Sequence, residues 1–406
     1  MNKAARGRWH ARVLASCAAV ICVVLTMLVG ARPVSAQPQG AATLTVSLTA
    51  LSATRVTAAR PVSVGPALTA SCPVGINHYD RTHLCWLQPL LVIFFKNKKP
   101  IGSTAITLFQ YMTLRGTSLV WSEVDVVVGL KSTKTTAPID VTSLNVSCGG
   151  SPCAAVGDFP AGRLKIGSSG SVTYGSRLSV GESEEDIVNT YLLDYTALPF
   201  EKDGDTPWKA PLSYRCDNGV AQTGSAGCVI PAATPILALS IKQAGASAAL
   251  FKWAQDNMNA HWGLRGKGSP LTRASGGAGV DNRDVVCDGT FKRQGTVVVK
   301  GGKNDVDSCD EFPYAATVQS GAAALKKEKK TGAACAQLQS VRTASKGSEA
   351  AQWGNVKVIG TPNHAAPCVR GHVPNRLNGS TGGSYSVFVR ENQLFVGENF
   401  WVSVGP

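Results

Sequence analysis

Charge is scarce in this chain: Asp, Glu, Lys and Arg make up only 16% of its 406 residues. Gly, Ser, Thr, Val and Ala are plentiful instead, which favours a β-rich globular structure with many turns over a helical bundle or a disordered chain. There is no G-x-S-x-G elbow, no G-x-x-x-x-G-K-[ST] phosphate loop and no H-E-x-x-H. Those absences argue against a serine hydrolase, a P-loop nucleotide triphosphatase and a zincin. No cysteine pair has the C-x-x-C spacing of a zinc site. No apolar run beyond residue 36 is long enough to span a bilayer, and no internal repeat stands out.

The amino terminus has its own pattern. Arg6, Arg8 and Arg12 precede the apolar run Val13 to Val29, and Val34-Ser35-Ala36 supplies a small-residue cleavage site. Residues 1–36 read as a signal peptide cut before Gln37, so the chain is expected outside the cell. The cut removes five basic residues and no acidic one, so the net charge falls from +14 to +9. A basic secreted protein meets polyanions readily: nucleic acid, anionic lipid or wall polymers.

Ten cysteines remain after the cut, at 72, 85, 148, 153, 216, 228, 287, 309, 335 and 368. An even number in a secreted chain reads as five disulfides. The short-range couples are Cys72 with Cys85, Cys148 with Cys153, and Cys216 with Cys228. Cys287–Cys309 and Cys335–Cys368 complete the set, although these four could exchange partners.

Along the chain, residues 37–70 read as a flexible lead-in or one edge strand. Residues 71–235 form a disulfide-containing β-rich domain, sandwich-like from its regular turn signals. Its strand candidates include Leu90–Phe95, Ile101–Leu114, Trp121–Leu130, Leu164–Ile166, Ser171–Tyr174 and Ile187–Tyr195. Residues 236–274 read as helix and linker. Leu250, Trp253, Ala254 and Met258 give a helical face within Ala246–Trp262, and a Gly/Ser-rich loop follows over 263–282. The last segment, 275–406, is a mixed α+β unit. Its expected strands are Thr296–Val299, Val356–Ile359, Tyr385–Val389 and Phe400–Val404, with a helix over Ala315–Lys330.

The densest chemical signal is Cys309-Asp310-Glu311-Phe312-Pro313-Tyr314-Ala315-Ala316-Thr317. Adjacent carboxylates suit metal-assisted hydrolysis, one taking a proton from water while the other holds a divalent cation. The same pair also fits an acidic helix cap. Asn375-Arg376, before the glycine-rich run Gly379–Ser384, offers a neutral oxygen ligand and a phosphate-gripping guanidinium, or an ordinary surface turn. Among the histidines, His364 and His372 flank Cys368 close to Asn375.

The stretch 309–317 resembles the signature of the secreted NucA/NucB-type deoxyribonuclease family, which runs Asp-Glu, aromatic, Pro, then Phe, Tyr or Met, then Ala. The later Asn375-Arg376 with glycines, and the aromatic-ended strand to Phe400-Trp401-Val402, are similar to that family's carboxy-terminal half. The likeness covers about residues 280–406. Upstream, Arg215-Cys216-Asp217 to Gly227-Cys228-Val229 resembles the disulfide-rich β region of long actinobacterial members. The chain departs from the family at Val318-Gln319-Ser320-Gly321, where a Glu-Gly element is common.

The resemblance implies a small ββα-metal-like nuclease unit behind an all-β domain. It implies sequence-nonspecific DNA cleavage with Mg²⁺ or Mn²⁺. Asp310 becomes the base, with Glu311 and Arg376 at the catalytic centre and Glu311, Asn375 and Glu391 as metal ligands. The alternative expectation is an inactive secreted protein that binds a polyanion or the cell wall.

Overall fold

The computed structural model describes residues 42–51, 77–149, 153–221, 224–298, 304–342, 353 and 355–406. The expected signal peptide, most of the lead-in and Cys72 lie outside these residues. The chain is mostly β, 47% strand against 17% helix, and its helices all fall after residue 240.

In the first half, β-branched and aromatic residues alternate with polar ones, and strands follow. The largest sheet runs Glu201–Asp205, Leu44–Ala50, His83–Lys96, Lys99–Thr113, Val120–Lys134, Ser169–Ser176 and Cys153–Asp158 in hydrogen-bonded order. Leu44–Ala50 is therefore neither flexible nor an edge, since it pairs on both sides. Residues 164–166 form no strand. The large sheet shares one core with two smaller ones, through Trp86, Val127 and Tyr174 on one side and Leu144, Tyr191 and Tyr214 on the other.

Two carboxylates lie inside that core. Glu123 and Asp125 are both 0% exposed, and Gln110 Nε2 donates to each, at 3.1 and 2.8 Å. Tyr174 and Tyr191 donate to Glu123 Oε2 at 2.6 and 2.9 Å. Burial, then Glu123's charge, holds the Asp125 carboxyl well above the ordinary carboxylate range. The pair keeps a proton rather than a second charge.

The second half is built on helix α1 (Ile241–Asn257), whose Leu250, Ala254 and Met258 are buried as expected. The helix starts and ends five residues earlier than its apolar spacing suggests. Its core contains Phe312, Leu338, Val369, Leu377 and Phe400. Two sheets supply these residues. One orders Ile236–Ser240, Asn399–Gly405 and Leu271–Thr272; the other orders Thr296–Val298, Asn304–Phe312, Val369–Pro374, Ala336–Val341 and Asn355–Val358. Residues 236–274 thus belong to the same core as the carboxy-terminal segment.

Three helices complete this half: α2 (Ala278–Val286), α3 (Ala322–Lys327) and α4 (Asn375–Glu391). Each corrects a sequence expectation. Part of the supposed 263–282 loop is helical as α2. Only six residues of Ala315–Lys330 are α-helical, as α3. The expected loop Gly379–Ser384 and strand Tyr385–Val389 lie inside α4. Leu377, Thr381, Tyr385, Phe388 and Val389 bury one stripe at helical spacing, and that burial overrides three glycines of poor helix propensity.

Four of the five expected disulfides are present: Cys148–Cys153, Cys216–Cys228, Cys287–Cys309 and Cys335–Cys368. The two halves meet at Glu398. Its carboxylate takes Arg81 at 3.0 Å and Arg215 at 3.2 Å, and the amide of Phe395 donates to it at 2.6 Å. Gly116 is bare at the same contact, because a Cβ there would come within 1.6 Å of the Glu391 carbonyl.

Candidate active site

Strand alternation sorts the side chains of Asn304–Phe312 onto two faces. Asp307, Cys309 and Glu311 share one face, and α2 packs there, tied by the Cys287–Cys309 disulfide. Ser308, Asp310 and Phe312 share the other. Here Phe251 of α1 stacks on Phe312 at 4.8 Å. The antiparallel neighbour Val369–Pro374 sets Arg370 opposite Glu311, Gly371 opposite Asp310 and His372 opposite Cys309. A Cβ on Gly371 would come within 2.2 Å of Leu250 Cδ1, so α1 lies directly on the strand beside Asp310.

The far edge of the carboxylate strand is covered by side chains. Thr296–Val298 pairs only with Asn304 to Val306. Past that point Asn378, one turn into α4, donates from Nδ2 to the Cys309 carbonyl at 2.8 Å and to Ser308 Oγ at 3.1 Å. Its Oδ1 accepts from Arg283 Nη2 at 3.1 Å. Arg283 Nε in turn stands 3.4 Å from Glu311 Oε2. The acidic pair therefore sits at a strand end between three helices, and the helix-cap reading is overturned.

Asp310 and Glu311 are each only 5% exposed. Asp310 Oδ1 accepts the Glu311 amide at 3.0 Å, while Oδ2 has no partner. Burial pushes Asp310 up to about 6, against the pull of the Ser247 hydroxyl and the Arg283 guanidinium. Burial pushes Glu311 up to about 7; Arg283 opposes this and the charge of Asp310 adds to it. The Tyr314 hydroxyl is buried without a partner, and burial with the nearby Asp310 charge raises its pKa far above the usual phenol. The Tyr314 ring stacks on Tyr385 at 5.1 Å. Tyr385 also lines a cleft of about 450 Å³ with Val220, Arg273 and Ala316, where the two halves face each other.

Such a site is short of positive charge, with two desolvated carboxylates facing one half-exposed guanidinium. An unpartnered carboxylate oxygen beside a second carboxylate fits a hard divalent cation of the Mg²⁺ class. Such ions take one or two carboxylates and fill the remaining positions with water and substrate phosphate oxygens. Among the described residues no group of three or more His, Cys, Asp or Glu gathers.

The other expected ligands do not join the pair. Asn375 and Glu391 are exposed and form the first and last residues of the 17-residue α4, so about 24 Å of helix axis separates them. One ion cannot be held by both. Arg376 is exposed, and its amide donates to Asp305 Oδ2 at 2.8 Å. His364 Nδ1 lies 2.8 Å from the Asn257 carbonyl, whereas His372 Nδ1 lies 2.7 Å from Asp307 Oδ2.

Sequence reasoning missed Arg283 and Asn378. The available signal was the Cys287–Cys309 couple. Arg283 lies one helical turn before Cys287, and Glu311 lies two residues after Cys309, so that crosslink brings the two together.

No protein-family model matches this chain, and neither a curated protein nor a solved structure matches it.

Proposed function

We infer that this chain is a secreted, metal-dependent and sequence-nonspecific endodeoxyribonuclease of the NucA/NucB type, its carboxy-terminal half serving as a ββα-metal-like catalytic unit. The observation that carries this reading is the buried Asp310–Glu311 pair, with an unpartnered Asp310 oxygen and Arg283 beside it. Asp310, raised to about 6, is ionised at neutral pH and basic enough to take a proton from an attacking water. Arg283 faces the negative charge that builds on the phosphate oxygens. Glu311 and Asp310 hold the cation, Mg²⁺ or Mn²⁺, which when bound neutralises the pair and polarises the scissile phosphate. The basic surface, Arg376 included, grips the DNA backbone without reading bases, so binding weakens steeply with salt. The four disulfides suit the oxidising exterior that the amino-terminal pattern implies.

The test is plasmid cleavage by the purified chain. Relaxation and linearisation are expected with Mg²⁺ or Mn²⁺ and not with EDTA, and Asp310→Asn is expected to lose about 10²–10³-fold. Intact plasmid under every metal condition defeats the reading and leaves a protein that binds a polyanion or the cell wall. Equal cleavage by wild type and variant acquits Asp310.

A further inference from the structure

We propose that His372, oriented by Asp307, is the general acid that protonates the leaving oxygen; this rests on the hydrolase reading above. Asp307 is 0% exposed. Its Oδ2 accepts the Gln294 amide at 2.7 Å and lies 2.7 Å from His372 Nδ1. A carboxylate only accepts, so Nδ1 carries a hydrogen and Nε2 is the nitrogen left to exchange a proton. The ring is fixed from a second side by Phe291, stacked at 4.3 Å. The imidazole keeps 11% of its surface exposed, and Nε2 has no hydrogen bond to the protein.

Strand register places this group beside the carboxylates. His372 is the cross-strand partner of Cys309, so it shares the face of Asp307 and Glu311 and is the diagonal neighbour of Glu311. Diagonal neighbours have their Cβ atoms about 7–8 Å apart, which leaves room for one phosphodiester between the side chains. An Asp–His pair whose buried carboxylate touches no substrate is the arrangement that fixes an imidazole for proton transfer.

The step balances as a hydrolysis. The water oxygen forms a bond to phosphorus and its proton passes to Asp310. The bond from phosphorus to the leaving oxygen breaks, and that oxygen takes the Nε2 proton of His372. Solvent then deprotonates Asp310 and reprotonates His372. Asp307 is a positioning residue throughout.

Substrates that differ only in their need for that last proton provide the test. The probes are plasmid DNA, whose leaving alkoxide needs a proton, and the p-nitrophenyl ester of thymidine 5′-phosphate, whose leaving phenolate does not. With Mg²⁺ or Mn²⁺ present, His372→Gln is expected to lose about 10²–10³-fold on DNA and to keep its rate on the aryl ester. Asp307→Asn should shift in the same direction by less. Asp310→Asn should lose both activities. Retained aryl esterase activity also shows that each variant is folded. Equal loss on the two substrates, or no loss on DNA, overturns the general-acid role while the hydrolase reading stands. Failure of the wild type on both substrates overturns that reading and this role with it.

Discussion

Arg283 Nε stands 3.4 Å from Glu311 Oε2, and this is the salt bridge that the acidic pair makes among the described residues. The contact joins α2 to the carboxylate strand. Removing the guanidinium leaves two buried carboxylates without it and strips the phosphate of its nearest protein cation. Arg283→Ala is expected to lower kcat on plasmid DNA by about 10²–10³-fold. Arg283→Lys should recover only part, because a point charge does not reproduce a planar fork. Wild-type turnover in Arg283→Ala would remove this residue from the chemistry.

The pair also sets a pH dependence of stability. Both carboxyls titrate higher in the folded chain than their ordinary values of 3.8 and 4.5, Asp310 at about 6 and Glu311 at about 7. Between the two sets of values the folded state binds more protons than the unfolded state, so stability falls as pH rises from about 4 through about 7. Glu311→Gln, measured in EDTA, should unfold like wild type near pH 4 and be more stable by about 2–3 kcal/mol at pH 8. Adding Mg²⁺ should stabilise wild type more than the variant. Parallel pH–stability curves for the two proteins would contradict this.

Glu398 is the shared partner of Arg81 and Arg215, whose side chains are 6% and 5% exposed. Its replacement strands two buried guanidinium groups. Glu398→Ala is expected to cost about 3–5 kcal/mol in urea denaturation. The loss should also appear as faster proteolysis at the contact between the halves. A double variant with Arg81 and Arg215 also changed to Met should recover much of it. A cost below about 1 kcal/mol would mean that the pair is worth no more than an exposed one.

Gly379, Gly382 and Gly383 lie within α4, and a Cβ at any of them would meet open space. Each Gly→Ala should therefore stabilise by about 0.5–1 kcal/mol through helix propensity alone. Thermal melts of the three single variants check this. Destabilisation would show that a partner or substrate approaches that helix face closely.

These residues also show where sequence reading stops. Periodicity located α1 through Leu250, Ala254 and Met258, and alternation located the strand that carries Val126 and Val128, because burial on one face writes its period directly into the sequence. The glycines of α4 hid a helix whose stability comes from contacts with Phe400 and Tyr314, residues distant in sequence. Within the candidate site, Asp310 and Glu311 were visible because adjacent acids are conspicuous. Arg283 and Asn378 were not, since an arginine and an asparagine acquire meaning only when two helices bring them to one strand edge. Asn375 and Glu391 looked like ligands when α4 was read as loop and strand. A rigid helix keeps them apart.

The parallel pairing of Ile236–Ser240 with Asn399–Gly405 has a consequence for how the chain folds. Ile236 pairs with Trp401 across nearly the whole second half, and Asn399–Gly405 also holds Leu271–Thr272. Closing so long a loop is slow, and its contacts come only after the entropy of closure has been met. During synthesis, helix α1 and the carboxylate strand emerge before the strand that closes their sheet. The acidic pair is therefore assembled late, once Asn399–Gly405 is in place, and a chain cut short of Phe400 lacks the strand that joins the two ends of this half.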